Sequence, residues 1–153
     1  MPSDTPRSTA RIGGHPIHPM LVPFPIVCFV GTLITDIAYA MTANMQWANF
    51  SAWLLTIGLI VAVFAVLAGL TDFLGDRRIR RMKAAWLHAL CNVVMLVLSI
   101  INAFVHSRDA YTSVVPLGLT LSTIVVLILP VTGWLGWAMV YRHGVGVTPE
   151  DRP

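Results

Sequence analysis

Five histidines carry most of the chemistry open to this chain: His15, His18, His88, His106 and His143. His15 and His18 stand three apart in GGHPIHPMLVPFP, each followed by a proline. That spacing puts both imidazoles on one face of a helical turn, and each proline fixes its local backbone. The same pattern also suits a plain helix start, where proline is tolerated in the first turn. Imidazole serves haem iron, non-haem iron, zinc and copper. Cys28 and Cys91 lie inside apolar runs and in no C-x-x-C pattern, which does not indicate a disulfide scaffold. Cys91 follows His88 by three residues, so a thiol–imidazole pair is conceivable. A thiol in apolar surroundings is inert, however, and no nucleophile elbow, H-E-x-x-H or phosphate loop is present. Without C-x-x-C-H, any haem would be held non-covalently.

The elements that position these groups follow from composition. Of 153 residues, 56% are hydrophobic and only 11% charged, with a mean hydropathy of +0.75. Soluble domains carry about 25% charged residues, so most of this chain need not face water. Four runs are long enough to cross a hydrocarbon core of ~30 Å as helices. They extend from about Leu21 to Met41, Phe50 to Leu74, Ala84 to Val105 and Val114 to Tyr141. A membrane barrel would show short alternating segments, whereas these runs are continuous. The expected fold is all-α, a transmembrane four-helix bundle over 13–143. A disordered polar tail (1–12) is expected before it and a short tail (144–153) after it. The first apolar run lacks a small-residue cleavage site, so no signal peptide is expected.

Charge sets the expected orientation. Arg77, Arg78, Arg80, Arg81 and Lys83 lie between the second and third runs. Arg7 and Arg11 precede the first, Arg142 and Arg152 follow the fourth, and Arg108 alone falls on the other side. The positive-inside rule then places both ends in the cytoplasm of a bacterial inner membrane, as a multi-pass protein. The net charge of +3 is read as this topology signal, and no nucleic-acid partner is expected. RRIRRMK could also meet lipid headgroups. Trp47, Trp53 and Tyr111 would anchor the outer interface, and Trp86, Trp137 and Tyr141 the inner one.

Each of the later runs carries a seam of small or polar residues. In the second it is Gly58, Ala62, Ala65, Gly69 and Asp72; in the third, His88, Asn92, Met95, Ser99, Asn102 and His106. In the fourth it is Gly118, Ser122, Val125, Leu129, Thr132, Gly136 and His143, with a kink expected at Pro130. Polar groups facing lipid are costly, so these seams should meet inside the bundle. Topology brings His15, His18, His88, His143 and Asp72 to the cytoplasmic end. At the outer end, Asp36 and Asn102 are the nearest buried polar candidates for His106.

Three readings follow, in this order. The first is haem b held by histidines among His15, His18, His88 and His143, in an electron-transfer protein with membrane redox partners. His88 is the strongest ligand candidate, opposed by His18 or His143 rather than His15, with Arg77 to Arg81 near the propionates. The second is an iron, zinc or copper ion bound or transported by those histidines and Asp72. H-x-x-H spacing favours such a compact site over two opposed axial ligands. The third is a cofactor-free structural subunit. The bilayer is the certain partner, and a homo-oligomer is compatible with all three.

GGHPIHPMLVPFPI, the second run ending at Asp72, His88 and the closing GWLGWAMVYRHGVGV resemble a family of small bacterial membrane proteins. It is domain-of-unknown-function family twenty-two thirty-one, and the resemblance runs from about Gly13 to Val147. Its most specific parts fall on His15, Pro16, His18 and Pro19, and on Tyr141 to Val147. The resemblance implies four spans and singles out the same histidines. It implies no particular activity, although iron–sulfur domains beside some relatives imply a redox setting.

Overall fold

The computed structural model describes residues 5–147. Proline punctuates the start of the first span. A short helix α1 (Ile17–Leu21) runs through Val22 into α2 (Pro23–Thr42), and together they form one 26-residue span. Val22 keeps helical angles and donates to the His18 carbonyl, so the prolines interrupt the hydrogen-bond ladder without turning the chain away. Ala43, in the left-handed conformation, ends α2, and the Asn44 side chain caps α3 (Met45–Gly75) by accepting from Gln46 N–H. Asp76 then caps the short α4 (Arg77–Arg80), followed by α5 (Lys83–His106). A short α6 (Ala110–Ser113) leads into α7 (Leu117–Tyr141). At 24 to 31 residues, α3, α5 and α7 are each long and apolar enough to cross a membrane, as is the first span.

The four spans form a ring in which each packs on two neighbours: α2 on α3 and α7, α5 on α3 and α7. Large apolar residues such as Phe24, Ile34, Trp53, Phe64, Val97, Phe104 and Leu127 point outward, as a lipid-facing surface requires. Pro130 lies inside α7 on its exposed face. The seams meet inside: Gly58, Ala62 and Ala65 of α3, Met95, Ser99, Asn102 and His106 of α5, and Gly118, Ser122, Val125, Leu129 and Thr132 of α7 are buried. His143 continues no seam and is exposed.

The interior is layered. Phe29, Leu55, Met95, Val125 and Leu129 form an apolar layer across the middle of the bundle. Polar residues occupy the interior on both sides of it. Close packing of α2 on α3 depends on Gly58, where an added Cβ would sit 2.8 Å from Cys28 Cβ and 3.0 Å from the Phe29 ring. Gly58→Leu is therefore expected to destabilise the bundle by about 1–3 kcal/mol, because backbone and a packed ring must both move. The unfolding midpoint in detergent checks this, and an unchanged midpoint would contradict the packing.

The first and last described residues meet at one end of the bundle, here the terminal end. Residues 5–12, expected to belong to a disordered tail, are instead held there by specific donors. Asp72 Oδ1 accepts from Ser8 Oγ (2.9 Å), Thr9 N (2.6 Å) and Ala10 N (2.8 Å). A two-residue hairpin follows, β1 (Arg11–Ile12) with β2 (His15–Pro16). Its turn, Gly13 and Gly14, has positive φ at both positions, which glycine tolerates and a tight hairpin favours. The C-terminal turn closes over it: Gly146 N donates to Pro6 O, and Arg11 donates to Gly146 O. The two most distinctive sequence segments thus pack on each other. Residues 1–4 and 148–153, including Arg152, lie outside the described residues.

Candidate functional site

At the terminal end, two histidines meet. His18 of α1 and His88 of α5 have ring centres 6.2 Å apart and ring planes nearly perpendicular, at 84°. Each ring is aimed by a neighbouring helix. His18 Nδ1 lies 2.7 Å from the Ala65 carbonyl of α3, and His88 Nδ1 lies 2.9 Å from the Thr132 carbonyl of α7. A carbonyl only accepts, so both Nδ1 atoms carry the proton and both Nε2 atoms keep a lone pair. Neither Nε2 makes a hydrogen bond among the described residues. All four spans build this pair: two supply imidazoles and two supply the carbonyls that orient them. Metal-ligating histidines are commonly prepared this way, with the far nitrogen tethered and the near one free.

Small residues make room for the rings. A Cβ at Gly69 would lie 2.9 Å from His18 Nδ1, and one at Gly136 would lie 3.4 Å from His88 Cε1. Asn92 donates to the Thr132 hydroxyl (2.6 Å) and to the His88 carbonyl (2.7 Å), which ties α5 to α7 beside the site.

The wider cluster expected at this end is not assembled. His15 is exposed on β2 and His143 is exposed beyond α7. Asp72, counted above with the metal ligands, has one carboxylate oxygen taken by three donors of the N-terminal segment. Among the described residues, no three His, Cys, Asp or Glu side chains gather closely enough to share an ion. Cys91 is a free thiol, and the His88 nitrogen that carries the proton is committed to Thr132. Beside the N-terminal segment, the Arg78 side chain holds the Asp76 carboxyl pKa down to about 2, from an ordinary value of 3.8. The lowered value means this cap stabilises the folded chain above the ordinary carboxylate range. Its contribution fades as pH falls from there through about 2.

A second polar cluster lies beyond the apolar layer, at the distal end. His106 Nε2 is 2.9 Å from Asp36 Oδ1, with the two side chains 1% and 0% exposed. Ser122 donates to Asp36 Oδ2 at 2.6 Å, and Asn102 donates to Ser122 at 2.8 Å. A Cβ at Gly118 would lie 2.7 Å from His106 Cε1, so only glycine admits the imidazole there. The serine binds the carboxylate and not the imidazole, so this is no nucleophile–base relay of the hydrolase kind. His106 is thus paired with the acid that depth alone had suggested. The backbone acceptors Ala65 and Thr132 carry no sequence signal, because any residue supplies a carbonyl. Clamping of Ser8 to Ala10 by Asp72 likewise has no local signature.

A family model described as "Predicted membrane protein (DUF2231)" matches residues 14–149. No curated protein and no solved structure is matched.

Proposed function

The chain belongs to the DUF2231 family of predicted membrane proteins, and we propose that it binds haem b between His18 and His88 as a membrane electron-transfer protein. The observation that carries this is the ligand count. Haem brings four nitrogens of its own and needs only two axial imidazoles. A structural zinc ion wants four protein ligands and a catalytic one three. The terminal end offers a pair of tethered imidazoles with free Nε2 lone pairs, and no larger gathering among the described residues. The ring centres lie 6.2 Å apart. Arg77, Arg81 and Lys83 are exposed at this end and suited to propionates. Bound there, haem would supply reversible one-electron transfer; the chain's part is to fix both imidazole tautomers and keep the site in an apolar bundle.

The test is the visible spectrum and metal content of protein purified from haem-replete cells. A Soret band with about one iron per chain is expected. Bound zinc or copper without that band would favour the bare-ion reading, and neither would leave a structural subunit.

Orientation belongs to the same reading: the terminal end faces the cytoplasm of a bacterial inner membrane. Arg77, Arg78, Arg80, Arg81 and Lys83 cluster there with Arg7, Arg11 and Arg142, whereas Arg108 stands alone at the distal end. Reporters inserted near Gly75 should read as cytoplasmic, and those near Ser107 as external. The reverse pattern would overturn the orientation.

A further inference from the structure

Proton bookkeeping in the distal cluster defines its state. His106 Nδ1 lies 3.0 Å from the Asn102 carbonyl, so that nitrogen carries a proton. The 2.9 Å contact between His106 Nε2 and Asp36 Oδ1 then needs one further proton between them. Whether that proton sits on nitrogen or on oxygen, the pair as a whole is neutral. Asp36 Oδ2 is served by Ser122, whose oxygen accepts from Asn102. One group is left over. Asn102 Oδ1 is buried in a residue 0% exposed and has no partner among the described residues. Turning the amide around does not help: it would face Oδ1 toward a serine oxygen whose only proton already goes to Asp36.

An orphaned acceptor in an apolar bundle calls for a donor. A metal cation would leave an uncompensated positive charge beside an already neutral pair, which burial strongly disfavours. A neutral donor has no such cost, and water is the donor small enough. Thr32, Thr35, Ser51 and Ser99 are also buried in this half, so its interior is lined by oxygen. Beneath it, the layer of Phe29, Leu55, Met95, Val125 and Leu129 separates it from His18 and His88. Along α5, His88 and His106 are about 27 Å apart at ~1.5 Å per residue.

We propose that the distal half is a hydrated proton-binding site: Asp36 and His106 hold one proton that exchanges with outside water through a molecule bound at Asn102 Oδ1. Exchange is a swap, in which a proton from water enters as the bridging proton leaves, so the pair stays neutral throughout. Among the described side chains, the titratable groups buried in this half are Asp36 and Tyr39 of α2 and His106 of α5. The buried residues described in α3, α6 and α7 of this half, Ser51, Ser113, Gly118 and Ser122 among them, carry no charge. Arg108 and Asp109 are exposed in the loop beyond.

Nitrogen-15 NMR of histidine-labelled protein in nanodiscs, transferred from H2O to D2O, tests this. The proton shared by His106 Nε2 and Asp36, followed through the Nε2 resonance, is expected to exchange at least about tenfold faster than the backbone amides of Met95 to Ser99. Asn102→Leu, which removes the anchor for water, is expected to slow that exchange about tenfold. A His106 proton as protected as those amides would overturn the proposal in the wild-type protein alone, whether or not the variant folds. Unchanged exchange in a folded Asn102→Leu protein would overturn the route through Asn102.

Discussion

Asp36→Leu is expected to destabilise the folded bundle by about 3–5 kcal/mol, the cost of stripping one partner from a buried ion pair. The leucine keeps the branched outline of the aspartate but is larger, and it leaves His106 Nε2 and the Ser122 hydroxyl, both buried, facing carbon. Asp36→Asn is expected to cost far less, about 1 kcal/mol. Its amide N–H can donate to His106 Nε2 while its oxygen accepts from Ser122, as a protonated carboxyl does. Because the pair is neutral as a whole, the neutral amide introduces no unbalanced charge. Asp36→Leu combined with His106→Leu should recover part of the loss, since removing both partners leaves fewer unpaired groups. Unfolding of all three in nanodiscs measures the series. Equal destabilisation by leucine and asparagine would show that charge, not hydrogen bonding, holds this cluster together.

His18→Ala and His88→Ala are each expected to abolish or greatly weaken cofactor binding, whereas His15→Ala, His143→Ala and His106→Ala should keep it. Among the described residues, His18 and His88 are the histidines whose rings meet, each with Nδ1 anchored on a backbone carbonyl, of Ala65 and Thr132 respectively. If the proposed site holds, losing either imidazole removes a ligand for which, among the described residues, no third His, Cys, Asp or Glu is gathered. His15 and His143 are exposed and outside this pair. Gly69→Leu supplies a subtler check, because a side chain there would displace the His18 ring. Its expected effect is about 10–100-fold weaker binding, the size seen when the support of a ligand is disturbed. Absorbance per milligram of folded protein reads all six variants. Retention by His88→Ala together with loss by His143→Ala would move the site away from this pair.

The four spans were legible in the sequence because membrane helices follow local rules. Twenty apolar residues must be helical in lipid, whatever their neighbours are. The seams were legible for a related reason, since polar and small residues at helical spacing have only the bundle interior to face. Hence Ser99, Asn102, Ser122 and Thr132 are buried as their spacing requires. His106 could be matched with Asp36 by depth alone, because the interior at that level offered few other polar groups. At the terminal end the same depth argument gathered too much. Water competes there, and depth does not separate an exposed His15 or His143 from the enclosed His88. Which imidazoles meet depended on helix rotation and on two backbone carbonyls, neither of which a residue type encodes. Asp72 was drawn instead to the N–H groups of Thr9 and Ala10, 63 and 62 residues earlier in the chain. By itself, then, the sequence determined the class of the protein, the number of its spans and the inward faces of three of them. Only the tertiary structure decided that His18 and His88 are the two of those histidines that meet at the terminal end, and that an Asp36–His106 pair lies beyond an apolar layer. Periodicity reports which face of a helix avoids lipid; it carries no information about which partner that face will meet.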